Sequence, residues 1–338
     1  MTRSASTLGY SKPKSFRRNT INIESPPVTS YASSSPPRSP PRIKSPTSST
    51  NSSTVGNNFR SRSSSIDYEL NDLFRSIVDD LCAIFVDARQ SGLNEQQTVE
   101  ILLVYFNHRN QDPTQIFEWL QNKTHKYKYT TLLGYFYDQG IGTTRNQRKA
   151  YCLYLSAAKK DYSVAQDLLG DCYYSGQGTT RDRNMAFSWY QKAADNDSTG
   201  SQFSLGICYA FGEGTARDCN KAFQYYKRSA SGGNVSGINE LGYCYEVGIG
   251  TKKDSKKAFM YFEQAANGGN PPGQHNLASC YEEGKGTPED VKKAIYWYQR
   301  SADNGHEVAK KRLKQLLTLI KEQGNEEEFS EYFPVSVA

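Results

Sequence analysis

The apolar positions of this chain follow a helical spacing through residues 129–305. In residues 220–231, apolar side chains recur at i, i+1, i+4 and i+8, and they are Ala222, Phe223, Tyr226 and Ala230. This spacing puts all four on one face of an α-helix. Residues 201–210 form a second helical run, and glycine and polar residues separate the two runs. The pattern therefore predicts two short helices joined by a turn.

The same pattern recurs at a fixed step of 36 residues. A Gly-x-Gly-Thr motif marks each unit, and it begins at Gly140, Gly176, Gly212, Gly248 and Gly284. A Leu-Gly pair, or Leu277-Ala278 in the last unit, lies seven residues before each motif. A fixed period of this length is typical of a solenoid in which each unit is one supersecondary element. The sequence thus predicts an all-α solenoid of five α-hairpins.

Capping residues precede the predicted second helix of every unit. This position holds an acid or an amide in all five units, namely Asn146, Asp182, Asp218, Asp254 and Asp290. Such side chains accept hydrogen bonds from the free backbone N–H groups of the first helical turn. The pairs Gly232-Gly233 and Gly268-Gly269 follow the second helix in two units and suit a left-handed C-cap.

Residues 66–128 are helical in pattern but lie outside the repeat register. Ser65 is predicted to cap a first helix, and Asn94 with Gln97 forms a capping-box pattern for a second. Asp112-Pro113 is an N-cap followed by a proline at the first position of a third helix. We expect this block to be a helical N-capping region, because the end units of a solenoid must cover their exposed core.

The two ends of the chain differ from the repeats in composition and charge. Residues 1–66 carry a net charge of +9, whereas the whole chain carries +6, so residues 67–338 carry −3. Residues 1–65 are rich in Ser, Pro and Arg and poor in large apolar side chains, which predicts a disordered tail. At the other end, residues 306–322 predict a capping helix and residues 323–338 an acidic, flexible tail.

The N-terminal tail contains motifs for regulation. Four serines precede proline, as in substrates of proline-directed kinases, and others lie in an arginine-serine run that suits a basic-directed kinase. The candidate phosphorylation sites are Ser25, Ser35, Ser39, Ser45, Ser63 and Ser65. Each phosphate would add about −1.5 to −2 charge, so a few would cancel the charge of the tail. Residues 37–42 also match the Pro-x-x-Pro-x-Arg pattern of a ligand for an SH3-type domain.

The sequence offers no constellation of catalytic or metal-binding residues. A helix rather than a strand precedes each Gly-x-Gly-Thr motif, so we interpret the motif as a turn and not as a phosphate loop. Cys172, Cys208, Cys244 and Cys280 recur at the repeat step, one in each hairpin. Packed helices lie about 10 Å apart, too far for zinc–sulfur bonds of about 2.3 Å, so these cysteines are interpreted as core residues. We expect no enzyme activity, no metal and no cofactor.

One unit, AQDLLGDCYYSGQGTTRDRNMAFSWYQKAADND, resembles the Sel-1-like repeat of the tetratricopeptide-like superfamily, and the resemblance covers residues 129–305. It implies a right-handed superhelical solenoid that acts as a protein-interaction scaffold without catalysis of its own. Residues 66–125 are similar to the segment that precedes such repeats in many fungal proteins, where a kinase-like domain often lies further upstream. No kinase motif occurs in this sequence.

Candidate partner-binding residues lie on the first helix of each unit, on positions off the predicted core face. Solenoids hold ligands on their concave surface, which these helices are expected to line. The candidates are Phe203, Ile207, Asn239, Tyr243, His275 and Glu282. Phe203, Ile207 and Tyr243 are apolar at positions that are polar in other units, and packing between repeats is the alternative explanation.

Two function classes are left open. The first is a non-enzymatic adaptor that binds other proteins, including a kinase or an SH3-type domain, and is regulated by phosphorylation of its tail. The alternative is a regulatory or activator subunit of an enzyme, either a signalling kinase or a chitin synthase. The sequence ends without a cysteine for prenylation, which disfavours the chitin-synthase type. Without a signal peptide or a long apolar run, we expect a cytoplasmic protein with no membrane span. The tail has few aromatic residues, which argues against specific nucleic-acid binding, and the oligomeric state is open.

Overall fold

The structure is a computed structural model that describes residues 56–123 and 126–322, with side chains from Tyr68 onward. The chain divides into two compact units, residues 1–68 and residues 69–338. In the first unit only the beginning of helix α1 is described. The described residues contain fourteen helices and no strand, which confirms the predicted all-α class.

Helix α1 begins earlier than the sequence predicts. It runs from Gly56 to Ser91, so the prediction that Ser65 is its N-cap is wrong, and residues 56–65 of the predicted tail are helical. No proline or glycine interrupts residues 57–91. Helix propagation adds one hydrogen bond for each residue that is fixed, so the turns before Ser65 extend the helix whose apolar stripe lies further along.

The next two helices begin where their caps are predicted. Helix α2, Glu95–Arg109, has the complete capping box: the Asn94 side chain accepts from the Gln97 N–H at 2.9 Å, and the Gln97 side chain accepts from the Asn94 N–H at 3.1 Å. Helix α3, Pro113–Gln121, has Asp112 as its N-cap. Both caps are confirmed.

Five helical hairpins, repeats 1 to 5, follow α3, and each has a first helix A and a second helix B. The A helices are α4 (Tyr127–Gln139), α6 (Ser163–Ser175), α8 (Thr199–Phe211), α10 (Val235–Val247) and α12 (Pro271–Glu283). The B helices are α5 (Gln147–Ala158), α7 (Arg183–Asp195), α9 (Cys219–Ser231), α11 (Ser255–Asn267) and α13 (Val291–Asp303). Helix α14, Glu307–Glu322, follows repeat 5.

The ends of the B helices follow the sequence signals closely. All five predicted N-cap side chains accept a hydrogen bond from the first turn of their B helix. At the other end, Gly233 and Gly269 have φ of +84° and +80°, whereas Gly232 and Gly268 have φ of −85° and −75°. The left-handed C-cap prediction is therefore confirmed for the second glycine of each pair.

The Leu-Gly step lets the two helices of a hairpin approach closely. In repeat 3 the ring of Tyr226 occupies the space where a side chain at Gly206 would project. Leu205 and Tyr226 are buried, and the equivalent glycines of repeats 1, 2 and 4 meet an aromatic ring in the same way. Burying one such large apolar side chain contributes about 1.5–3 kcal/mol.

The Gly-x-Gly-Thr motif is a turn between helices, as predicted. In repeat 3, Gly212 ends α8 with φ of +71°, and Gly214 follows with φ of +72°. A Cβ atom at Gly214 would collide with the backbone carbonyl of Arg183, in the preceding repeat. The second glycine therefore serves the packing of one repeat on the next.

The repeat cysteines lie in the core, as predicted. Cys172, Cys208, Cys244 and Cys280 are buried free thiols. Burial raises the pKa of Cys208, Cys244 and Cys280 to about 12, so these thiols stay protonated at neutral pH. They pack as small apolar side chains.

Candidate functional site

The six candidate partner-binding residues lie on the A helices of repeats 3 to 5, and the structure gives them different surroundings. Phe203 and Ile207 are half-buried and pack on the cluster that contains Tyr226, with ring centroids of Phe203 and Tyr226 6.1 Å apart. Tyr243 is half-buried against the next cluster. Each of these three side chains thus uses part of its surface for packing and leaves part exposed.

Asn239 is buried and belongs to a chain of polar contacts that crosses from repeat 5 to repeat 4. The Asn276 amide donates to the Asn239 oxygen at 2.9 Å, and the Asn239 amide donates to the Glu240 carboxylate at 3.0 Å. Loss of hydration raises the pKa of Glu240 to about 7, although the Asn239 hydrogen bond acts in the opposite direction. Glu240 is therefore a half-buried carboxyl whose charge changes near neutral pH.

His275 and Glu282 are held against the last B helix and α14. The Tyr298 hydroxyl donates to Glu282 at 2.8 Å, and Arg312 of α14 forms an ion pair with the same carboxylate. The rings of His275 and His306 lie 5.0 Å apart. Burial, followed by the nearby His306, lowers the pKa of His275 to about 4, so its imidazole is neutral at physiological pH.

A segment of the chain itself is bound on the A helices. We call residues 89–97, the end of α1 and the beginning of α2, the α1–α2 corner. Arg89 inserts between the carboxylates of Asp167 and Asp171 on α6, at 2.8 Å from Asp171. Asp167 is 3% exposed and also accepts from the Ser201 hydroxyl at 2.6 Å, and Asp171 accepts from the Tyr190 hydroxyl at 2.9 Å. The two acids of repeat 2 thus form a buried socket for a guanidinium group.

The corner continues from repeat 2 across repeats 3 and 4. The Thr199 N–H and hydroxyl donate to Gln90, and the Asn234 amide donates to the Gln90 carbonyl at 3.2 Å. The Ser236 hydroxyl donates to the Gly92 carbonyl at 3.1 Å. Each of these partners lies at or next to the first residue of an A helix, so the corner is bound along the N-terminal ends of α8 and α10.

Sequence reasoning missed this contact and the role of Arg89 and Gln90. One signal was present in the sequence: repeat 2 has the acidic residues Asp167 and Asp171 at two positions where the other four repeats have no acidic residue. An acidic pair that departs from a repeat pattern indicates a local partner of opposite charge. The sequence did not show which basic residue that partner is, because more than seventy positions separate Arg89 from Asp167.

The charged groups of the corner are paired with each other, since Arg89 lies between Asp167 and Asp171, whereas the buried Nδ1 atom of His275 has no hydrogen-bond partner in the part of the chain that the structure describes. Among residues 56–123 and 126–322, no group of three or more His, Cys, Asp or Glu side chains is placed to hold a metal ion. Within the same ranges, no helix is both long enough and apolar enough to cross a bilayer. The phosphorylation candidates Ser25, Ser35, Ser39 and Ser45 and the proline motif at 37–42 lie outside the described residues. The side chains of Ser63 and Ser65 also lie outside them.

Comparison with known proteins agrees with the hairpin geometry. Among solved structures, the chain is similar to a Sel1 repeat protein from Oxalobacter formigenes, with 32% identity, a TM-score of 0.57, and coverage of 64% of this chain and 86% of that chain. It is also similar to c5321, a protective antigen present in uropathogenic Escherichia coli strains that displays an SLR fold, with 29% identity, a TM-score of 0.53, and coverage of 72% and 52%. The chain thus spans about half the length of that antigen. No curated protein matched the sequence.

The family model of the Sel1 repeat matches five consecutive segments, residues 130–162, 163–198, 199–234, 235–270 and 271–306. Each segment contains one A helix and one B helix, except that α4 begins three residues before the first segment, and together the segments make up more than half of the chain. Sel1 repeats generally serve as non-catalytic scaffolds for protein interaction. Since all five hairpins match in register, the chain belongs to the Sel1 repeat family.

Proposed function

We propose that this chain is a non-enzymatic adaptor that binds a partner protein on the A helices of repeats 3 to 5. The observation that carries the proposal is the α1–α2 corner, a peptide segment already bound on the same row of helices. Its contacts combine an ion pair at Arg89 with backbone hydrogen bonds at Gln90 and Gly92. These are the contacts by which a surface of this kind recognises an extended or helical segment of another protein.

The proposed partner surface lies next to the corner rather than under it. The corner meets repeats 3 and 4 at Thr199, Asn234 and Ser236, in the first turns of α8 and α10. Ile207 and Tyr243 lie about two turns further along these helices, at 1.5 Å of rise for each residue. Partly exposed apolar side chains between half-buried polar groups are typical of the anchor positions of a protein interface.

The partner segment is expected to carry an apolar anchor beside a basic or hydrogen-bond-donating group. The apolar part matches Phe203, Ile207 and Tyr243. The polar part matches Glu240, which gains a full negative charge when a cation approaches it, because a nearby positive charge lowers the pKa of a carboxyl group. Phosphorylation of the N-terminal tail would add negative charge that competes for the same basic group.

Proximity labelling of the full-length chain tests this proposal. The variant I207S/Y243A alters the proposed surface, and M260S/Y296A is a matched control, because Met260 and Tyr296 are exposed apolar residues of B helices. We expect a set of labelled proteins that is shared by the wild type and the control and lost in I207S/Y243A, while thermal unfolding shows that both variants fold. An unchanged set of proteins in I207S/Y243A would contradict the proposal.

The identity of the captured protein separates the two function classes. If the proteins that I207S/Y243A no longer labels include a kinase or a chitin synthase, the result indicates a regulatory subunit of that enzyme. If they include only non-catalytic proteins, the result indicates an adaptor. The same experiment with serine-to-alanine substitutions at Ser25, Ser35, Ser39 and Ser45 tests regulation through the tail. The label also reports whether the chain works in the cytoplasm, as proposed.

A further inference from the structure

The two edges of the repeat array carry opposite charge. One edge, here called the loop edge, consists of the turn between helices A and B together with the first turn of helix B, at residues 143–149, 179–185, 215–221, 251–257 and 287–293. It has thirteen Lys or Arg and five Asp or Glu, a net charge of +8. The opposite turns, between one repeat and the next, lie at residues 158–164, 194–200, 230–236, 266–272 and 302–308. They have two basic and five acidic residues, a net charge of −3.

Contacts between repeats join the loop edge into one continuous row. The Arg148 guanidinium donates to the Gly178 carbonyl, in the turn of the next repeat, at 2.9 Å. Gly214 lies against the backbone of Arg183, and Gly250 lies against the backbone of Cys219, in the same way. Each turn therefore rests on the beginning of the preceding B helix, and the basic residues of successive repeats are neighbours in space.

The acids of this edge have much of their hydrogen-bonding capacity used by the backbone. Asp218 accepts from the N–H groups of Asn220 and Lys221 at 3.0 Å, and Asp254 accepts from the Lys257 N–H at 3.1 Å. The basic side chains of repeat 4, in contrast, are exposed to solvent: Lys252, Lys253, Lys256 and Lys257. A backbone hydrogen bond does not remove the charge of a carboxylate, and Lys257 also pairs with Asp254 at 3.4 Å, so the positive charge of the row comes from its excess of basic residues.

Exposed apolar residues end the A helices at the same edge. Phe211 is the last residue of α8 and is 56% exposed, and Val247 is the last residue of α10 and is 42% exposed. Both precede the turn of their repeat directly. Large apolar side chains next to a basic row favour an interface between water and lipid, where basic groups meet headgroups and apolar side chains enter the acyl boundary.

Two tyrosine rings beside this edge are already covered, and the exposed Phe211 is a single ring rather than a row of rings, which disfavours nucleic acid. The Tyr209 ring stacks on Tyr225 with centroids 5.5 Å apart, and the Lys221 ammonium lies 5.1 Å from the Tyr209 centroid. Tyr245 is covered by Tyr261 in the same manner. Proteins that bind single strands need open aromatic faces on which bases stack.

We infer that the loop edge binds the surface of a membrane that contains anionic lipid, as a peripheral contact. The basic row of repeats 1 to 5 meets the anionic headgroups, and Phe211 and Val247 enter the interfacial layer. Anionic leaflets attract basic residues within a Debye length of the surface, so the attraction weakens as the salt concentration rises. This contact leaves the A-helix surface available for a protein partner and does not depend on that proposed function.

Vesicle sedimentation with the full-length chain tests the inference. Vesicles of phosphatidylcholine alone are compared with vesicles that also contain phosphatidylserine. The variant K252Q/K253Q/K256Q/K257Q is expected to lower the partition coefficient for the anionic vesicles about 1,000-fold, since each of the four basic residues contributes about 1 kcal/mol at such a surface and about 1.4 kcal/mol is a factor of ten. A second variant, R217Q/K221Q, is expected to lower it about 30-fold by the same reasoning.

A control variant removes the same charge from elsewhere. K159Q/K160Q/K310Q/K311Q alters exposed lysines outside the loop edge and is expected to change the partition coefficient less than about threefold. It also keeps the basic N-terminal tail, so the contribution of the tail is equal in every variant. An equal loss in the control and in the repeat 4 variant would overturn the inference, because net charge alone would then explain binding.

The apolar residues distinguish a membrane from other polyanions. F211S/V247S is expected to lower the partition coefficient about tenfold and to leave binding to heparin unchanged, since only a bilayer has an apolar layer to enter. An unchanged partition coefficient in this variant would overturn the inference. Displacement of the protein from anionic vesicles by single-stranded RNA at equal phosphate concentration would also overturn it, in favour of nucleic acid.

Discussion

The socket for Arg89 gives the most direct test of how the α1–α2 corner is held. Arg89 is 15% exposed between Asp167, 3% exposed, and Asp171, 12% exposed. Arg89→Ala leaves both carboxylates in place without their cation, and breaking a buried ion pair in this way costs about 3–5 kcal/mol. Ser201 and Tyr190 still donate to the two acids, which reduces the penalty. We therefore expect a loss of about 3 kcal/mol in local stability.

Native-state hydrogen exchange is the suitable assay, because repeat arrays unfold segment by segment and a single midpoint would average over the chain. A loss of 3 kcal/mol corresponds to amide exchange that is faster by about two orders of magnitude, since each 1.4 kcal/mol is a factor of ten. The faster exchange is expected in α6 and in the last turns of α1, and not in α12 or α13.

A charge-free variant provides the matched control. In R89M/D167N/D171N all three charges are removed together, and replacement of a buried ionic cluster by neutral groups is often close to neutral in stability. We expect this variant to exchange within about tenfold of the wild type. The reasoning is wrong if R89A exchanges at the wild-type rate, or if the triple variant is as labile as R89A.

Three further predictions concern the turns, the caps and Glu240. Gly214→Ala is expected to lower the free energy of unfolding by about 3 kcal/mol in urea, and Gly233→Ala by about 1 kcal/mol. Both glycines have positive φ, but only at Gly214 would a Cβ atom collide with a backbone carbonyl. Equal costs at the two sites would refute this. The hydrogen bond from the Lys257 backbone N–H lowers the pKa of Asp254 in the folded protein. The contribution of Asp254 to folding stability is therefore present above the ordinary pKa of aspartate and is lost as pH falls through the lower folded value. An NMR titration that shows an ordinary pKa for Asp254 would disprove this prediction. Because the folded pKa of Glu240 is raised to about 7, the free energy of unfolding should fall as pH rises from 4.5 to 7. Glu240→Gln should raise the free energy of unfolding by about 1–2 kcal/mol at pH 8 and remove its dependence on pH in this range. Urea unfolding across the pH range measures both effects.

The repeat architecture could be predicted from the sequence in detail. A fixed period of 36 residues, with Leu-Gly, Gly-x-Gly-Thr and a capping acid at constant positions, determines where each helix begins and ends. These signals are local: a cap acts on the turn that follows it, and a glycine with positive φ acts on its own backbone. The five N-caps and the core cysteines were predicted correctly for this reason.

The candidate site could be predicted only in part. The off-core positions of the A helices follow from the period, so Phe203, Ile207 and Tyr243 could be named in advance. The sequence did not show that α14 engages Glu282 through Arg312, because that ion pair joins residues thirty positions apart. The start of α1 at Gly56 was also missed, because serine and arginine residues have the composition of a tail and yet allow a helix to extend.

The sequence by itself determined the repeat, its helices, its turns and its core, since each depends on contacts within a hairpin or between one hairpin and the next. Only the tertiary structure decided what occupies the A helices. The α1–α2 corner reaches Asp167, Asn234 and Ser236 because stacking brings successive A helices side by side, and the linear order of residues does not show which distant segment meets them there. The sequence shows the basic residues of the loop edge, but only the stacking of five repeats places them side by side on one surface.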